Sequence, residues 1–178
     1  MVEDLEEPKF KVIHEYESFE VRKYADTIQA QVASPTSEEV SSSTHFREIA
    51  NYIFGNNDES QNISMTAPVH TWNQSSETLM AFTMPSKFNI EKLPKPNNSR
   101  VQLLNIEGEI IAVLKFSWFS GNTRTKKLIQ KLQQLIKAEG LNQNGIPKLA
   151  VYDNPMTTLP FVRRNEIHIP IEWPINRL

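Results

Sequence analysis

The sequence predicts an α+β protein, an antiparallel sheet curled on itself with two helices packed against it. Three observations carry this. Short stretches of partly alternating apolar and polar residues outnumber helical ones, and two segments carry an apolar stripe at helical spacing. A stretch rich in proline and asparagine near the midpoint separates two halves of similar order, strands then one helix then strands, which suggests a duplicated unit without a residue-level repeat. Two helices cover only part of so many strands, so the sheet must close over much of its own apolar face.

The first half opens with strand-like text at Lys9–Glu15, Phe19–Tyr24 and Thr27–Ala33, with Tyr24-Ala25-Asp26 reading as a turn. After a polar stretch, Phe46, Ile49, Ala50 and Ile53 recur at helical spacing, and Gly55-Asn56 stops the pattern. Strand candidates follow at Asn62–Trp72, interrupted at Pro68, and at Thr78–Met84. Pro85 to Asn98 reads as a linker. In the second half, strands at Val101–Asn105 and Ile110–Ser117 are joined by Glu107-Gly108-Glu109, a hairpin signal. Leu128, Ile129, Leu132, Leu135 and Ile136 form the second stripe, with Asn122 or Thr123 as cap and Gly140 as stop. Strands at Lys148–Tyr152 and Arg164–Ile171 follow. The expected organisation is an acidic extension over 1–8, one domain over 9–172 with halves of about 9–86 and 99–172, and a tail over 173–178.

Composition narrows the function classes. With 178 residues and 39% hydrophobic content, a core forms without disulfides or a structural metal. The absence of cysteine excludes disulfides, thiolate metal sites, iron-sulfur clusters and cysteine nucleophiles together. Nineteen Lys and Arg against twenty-one Asp and Glu leave a net charge of -2, so no global field draws the chain to a phosphate backbone, and nucleic acid is not an expected partner. The longest apolar run, Ile110–Leu114, is of strand length, so no integral membrane segment is expected. Met1–Pro8 is acidic where a secretory signal is basic and then apolar, which makes a cytoplasmic setting the default. Oligomeric state is not legible.

The four histidines, His14, His45, His70 and His168, have no spacing that places two imidazoles on one metal, so no metal-only site is expected. His45 shares a helix face with Ile49 and with Tyr52 or Ile53, where an imidazole could approach a ligand lying over the helix; the ordinary alternative is a partly exposed group at a helix start. The chain has neither a Gly-x-Ser-x-Gly elbow nor a Gly-rich phosphate loop, and the pair Glu38-Glu39 sits in polar surroundings where solvation explains it. No catalytic residue is assigned. Three local clusters remain: Ile63–Val69, bent by Pro68; the turn-rich Tyr152-Asp153-Asn154-Pro155-Met156-Thr157; and Arg163-Arg164-Asn165-Glu166, whose alternation sends Arg164 and Glu166 to one face. A guanidinium paired with a carboxylate inside a curled sheet would fix register, so a structural role outranks catalysis there, although Arg163, Arg164 and Glu166 are the compact polar group that an enzyme would have to use.

In their order along the chain these segments resemble the SOUL family of haem-binding proteins. The resemblance begins at Phe19-Glu20-Val21-Arg22-Lys23-Tyr24 and runs through Phe46-Arg47, Tyr52-Ile53-Phe54-Gly55-Asn56-Asn57, Met65-Thr66-Ala67-Pro68-Val69 and Leu93-Pro94-Lys95-Pro96. It ends in Tyr152–Thr157 and Arg163–Glu166, covering about Phe10 to Ile171. It implies a distorted antiparallel β-barrel of two similar halves with two flanking α-helices. It also implies non-enzymatic binding, transport or sensing of haem or a related porphyrin, a tetrapyrrole ligand held in an apolar surface groove that includes the first helix. Carried onto this chain, the groove would use His45, Phe46, Ile49, Ile53 and Met65, with Arg22, Lys23 and Arg47 on the propionates. Lys23 stands where one branch of the family has a suspected histidine ligand, which leaves His45 as the best remaining iron donor, although a groove that holds the porphyrin by its faces and carboxylates needs no protein bond to iron. The second departure is Phe116-Ser117-Trp118-Phe119-Ser120-Gly121, longer and more aromatic than the family's step before the second helix. The alternative reading is a protein-interaction or small-molecule effector module without physiological haem.

Overall fold

The computed structural model describes residues 5–38, 40–154 and 156–174. The start of the acidic extension, Glu39 of the Glu38-Glu39 pair, Pro155 of the turn-rich cluster and the end of the tail lie outside the described residues. In chain order the elements are β1 (Phe10–Glu15), β2 (Glu20–Tyr24), β3 (Thr27–Pro35), α1 (Ser42–Ile53), β4 (Val69–Gln74), β5 (Glu77–Thr83), β6 (Gln102–Ile106), β7 (Ile110–Phe116), α2 (Asn122–Ala138), β8 (Asn142–Gln143), β9 (Lys148–Val151) and β10 (Asn165–Glu172). Short 3₁₀ turns occur at Ile90–Lys92 and Pro160–Val162. The fold is α+β with antiparallel strand pairing and two helices, as expected.

The described residues form two compact units, one of residues 5–8 with 26–107 and one of residues 9–25 with 108–174. These are not the two halves read from the sequence, because β1 and β2 belong with the C-terminal strands: Glu20 to Lys23 pair antiparallel with Val113 to Ile110. The expected hairpin at Glu107-Gly108-Glu109 is therefore absent. β6 pairs with β3, β7 pairs with β2 and β10, and the first unit ends at Glu107. Tyr24-Ala25-Asp26 likewise carries the chain from one unit to the other.

In the first unit the strands run β4, β5, β3, β6, with Ala30 opposite both Phe82 and Leu103 and Val32 opposite Met80. Strand periodicity puts Ala30, Val32, Met80 and Phe82 on one face, where they meet Ile49, Tyr52 and Ile53 of α1 in a single apolar cluster. Ser41 caps α1, its hydroxyl accepting from the Thr44 amide at 3.3 Å. Gly55 ends it at φ 106°, a left-handed conformation that glycine adopts without a Cβ penalty. Asn62–Pro68 forms isolated bridges instead of the expected strand, with Glu6 pairing with Thr66 and Asn62 with Phe54, and the Ala67–Pro68 peptide is cis. Glu6 also accepts from the Ser86 amide at 2.7 Å, so this part of the acidic extension is bound into the unit.

In the second unit the strands run β1, β2, β7, β10, β9, and β8 pairs with the end of β10. Val21, Ala112, Leu114, Ile167 and Ile169 form the face under α2, which contributes Leu132 and Ile136. Trp173, expected in the tail, is buried in this cluster. α2 begins at Gly121 without the side-chain cap expected from Asn122 or Thr123; Thr125 instead donates to the Ser120 carbonyl at 3.1 Å. No helix among the described residues is long and apolar enough to cross a membrane.

Candidate functional site

The first unit holds most of the groove candidates, all on α1 or beside its core. Helical spacing places His45, Ile49 and Tyr52 or Ile53 on one face, and that face turns inward. Ile49 and Ile53 are core residues, and His45 is only 1% exposed. The His45 Nε2 lies 2.8 Å from the Ser34 hydroxyl on β3. Burial lowers the imidazole's affinity for a proton, and nearby Arg100 adds to this while Glu48 opposes it. The partly exposed helix-start group expected at this position is thus a buried, hydrogen-bonded one, because its stripe is the core stripe. Tyr52, on the same face, donates to the Pro94 carbonyl at 2.8 Å, and its burial pushes the phenol up to about 12.

The outer side of α1 is different. Phe46 is 39% exposed, its ring 5.2 Å from that of Phe82, and Arg47 next to it is exposed. Met65 is half-buried against the core cluster. Glu48 is held by Arg100 at 3.0 Å, so Arg47 is the helix cation without that partner. Phe46 and Met65 are thus the groove candidates that keep apolar side chains at least partly exposed, and Arg47 is a guanidinium that is not committed to the Glu48 pair.

Arg22 and Lys23 lie on β2 of the second unit. Lys23 is exposed, and alternation puts Arg22 on the face opposite the apolar cluster, where it is 1% exposed. The propionate role expected of Arg22 meets a different geometry, because its Nη1 and Nη2 donate to Glu166 Oε2 and Oε1 at 2.9 and 3.0 Å. Its Nε is paired with Glu20, and Nη1 also donates to the Tyr24 hydroxyl at 2.9 Å. Glu166 Oε2 accepts further from Tyr152 at 2.8 Å and from His168 at 2.7 Å. A carboxylate only accepts, so the His168 Nε2 carries the proton.

The charge states follow from these contacts. Burial alone would raise the Glu166 carboxyl, but hydrogen bonds from His168 and Arg22 overcome it and hold the group well below the usual carboxylate range. Burial pushes His168 down more than Glu166 pulls it up, so the ring is neutral. Burial, and next the Glu166 charge, push the Tyr152 phenol far up. Every hydrogen-bonding position on this carboxylate is occupied, and no donor or acceptor in the cluster is presented as a poised acid or base. Of the arginines next to Glu166 in sequence, Arg164 reaches Oε1 only at 3.4 Å while stacking on Tyr152 at 3.7 Å; Arg163 lies over Phe119 instead.

The α+β arrangement of two antiparallel units, each with one helix, and the segments threaded through both define the class to which the chain belongs. The sequence profile described as "SOUL heme-binding protein" matches residues 5–170, nearly the whole chain. The chain belongs to the SOUL heme-binding protein family. Among solved structures it is similar to a hydrolase from Listeria innocua (11% identity, 89% of this chain and 94% of that one, TM-score 0.59). It is also similar to the EcmrR C-terminal domain (12% identity, 85% and 95%, TM-score 0.63) and to an uncharacterized conserved protein from Listeria innocua (10% identity, 87% and 92%, TM-score 0.65). At these identities the likeness is one of fold. A search of curated protein sequences returned no match.

Proposed function

We propose that the protein binds haem or a related porphyrin and carries or senses it without altering it chemically. The family match over residues 5–170 is the observation that carries this reading. A porphyrin asks for an apolar face, a cation for its carboxylates and, for bound iron, a donor atom. Phe46 and Met65 supply apolar surface and the exposed Arg47 supplies the cation. His45 does not offer a donor in this conformation, its ring being buried and its Nε2 engaged by Ser34. The reading is therefore of a macrocycle gripped by its face and its carboxylates, with Ile49 and Ile53 supporting α1 from beneath.

Titration of the purified protein with haemin, followed at the Soret band, tests this. Saturable binding is expected, with iron-free porphyrin competing on comparable terms and an unrelated apolar dye competing poorly. Absence of a saturable change at micromolar haemin overturns the proposal. Equal competition by the dye would replace it with the effector-module reading.

A further inference from the structure

Half of the exposed large hydrophobic side chains among the described residues come from two short segments of the second unit, 118–119 and 156–162. The two segments touch. The Trp118 amide donates to the Pro160 carbonyl at 2.8 Å, the Asn165 side chain donates to the Trp118 carbonyl at 3.0 Å, and the Trp118 and Phe161 rings are 6.4 Å apart. Trp118 is held at φ 73°, a backbone region that a bulky residue rarely adopts, and the result is an outward ring, 49% exposed. Phe119, Phe161 and Val162 are exposed by 59%, 56% and 59%, and Leu159 by 61%. An apolar surface of this kind on a water-soluble face marks an interaction site.

The charge around it selects the partner. The chain as a whole is at -2, yet residues 116–138 contain five Lys and Arg and no Asp or Glu, and residues 154–163 contain Arg163 and no acid; Lys115 and Arg164, just outside these spans, are paired with Glu20 and Glu166. Arg124, Lys126 and Lys127 are exposed on the first turns of α2, directly after the aromatic loop, and the Arg124 guanidinium lies 5.5 Å from the Phe116 ring. Arg163 stands over Phe119 at 5.4 Å. Protruding aromatic and aliphatic tips, rimmed by cations and free of carboxylates in sequence, match the apolar boundary and negative headgroups of an anionic bilayer surface.

We propose that the 118–119 and 159–162 loops dock this protein peripherally on anionic lipid membranes, with Trp118, Phe119 and Phe161 entering the interface and the start of α2 facing the headgroups. This does not rest on the porphyrin reading. The test is co-sedimentation of the full chain with vesicles of phosphatidylcholine plus phosphatidylglycerol, against vesicles of phosphatidylcholine alone. Binding is expected to the anionic vesicles only, and to weaken steeply with added salt. Trp118→Gly with Phe119→Ser should abolish it; glycine accepts the left-handed backbone at 118, so this variant keeps its fold by circular dichroism. Reversal of Arg124, Lys126 and Lys127 to Glu should weaken it more than about a hundredfold, near fivefold or more per cation. Phe54→Ser, an exposed aromatic on the first unit, should leave it unchanged. No anionic-vesicle binding, equal binding to neutral vesicles, or binding untouched by either loop or charge variant overturns the proposal, and capture of an acidic protein without vesicle binding would reassign the surface.

Discussion

Arg22 of β2 and Glu166 of β10 meet across the intervening strand β7 in a bidentate pair with both side chains almost wholly removed from water. The pairing register explains how. Glu20 and His168 both stand opposite Val113, Arg22 opposite Ile111 and Glu166 opposite Lys115, so all of these side chains share one face of the sheet. The guanidinium spans that face diagonally, and the other face is left to Val21, Ala112, Leu114 and Ile167 beneath α2.

Removing one partner of this pair should cost much more than removing a surface ion. Arg22→Met is expected to destabilise by about 3–5 kcal/mol, because Tyr152 and His168 cannot neutralise the stranded carboxylate. Arg22→Lys should fall in between, since an ammonium cannot make the two parallel bonds. Lys115→Met, which removes the half-exposed ion pair to Glu20, should cost less than about 1 kcal/mol. Urea unfolding of the three variants gives the ranking, and a small loss for Arg22→Met would show that the cluster is not a stability element.

Stability should fall on acidification in two stages. His45 and His168 are both held below the ordinary imidazole value of 6.5, chiefly by burial. Their contribution is complete above that value and is lost as pH drops below it, because the unfolded chain then takes up protons that the fold refuses. Glu166, held below the carboxylate value of 4.5, keeps its contribution down to that region and loses it as pH falls further. Urea midpoints measured from about pH 8 to about pH 2 should show the first decline in wild type and in Glu166→Gln alike, and the Glu166 share of the second decline only in wild type. A flat profile down to pH 5 would contradict the histidine assignment.

The inward and outward sides of α1 should separate under mutation. Ile53→Ala removes a fully buried side chain and should cost about 2–5 kcal/mol by thermal or urea unfolding. Phe46→Ala should cost little stability and weaken haemin and iron-free porphyrin together. If Phe46→Ala leaves both affinities at the wild-type value, the outer side of α1 is not the porphyrin surface.

For His45, the expected result is a wild-type Soret maximum in the ferric complex of His45→Ala, accompanied by a loss of stability from the broken Ser34 contact. A shifted Soret band with haemin affinity lost selectively over iron-free porphyrin would assign His45 to iron after all.

How much of this could be read beforehand depends on whether the signal was local. The stripe Ile49, Ala50, Ile53 and the stripe Leu128 to Ile136 are 3.6-residue patterns complete within themselves, and both helices stand where those patterns put them. His45 sits on the first stripe, so its burial was present in the same arithmetic that made it a ligand candidate. Pairing is not local. Glu107-Gly108-Glu109 carries a turn signal, but the strands on either side pair with different partners in different units, β6 with β3 and β7 with β2 and β10, and only distant residues decide that. Likewise alternation marks Glu166 as a side chain that an inward face would bury, while its partner stands 144 residues earlier and carries no mark of that assignment. The pair of loops at 118 and 160 was visible only as one lengthened aromatic segment; the contact between them is tertiary.

The place of β10 has a consequence for biosynthesis. It is the last strand in sequence order among the described residues, yet it lies between β7 and β9 in the interior of its sheet. During translation β2 and β7 can pair as soon as both have emerged, but the nascent second unit then presents an unpaired edge on β7 and an apolar face lacking Ile167, Ile169 and Ile171 until residue 172 has been made. Ribosomal products that stop before Asn165 lack the middle of a sheet, not a trimming at its border. Such fragments lack an interior strand and three core side chains, so they leave the β7 edge unpaired and the apolar face under α2 uncovered.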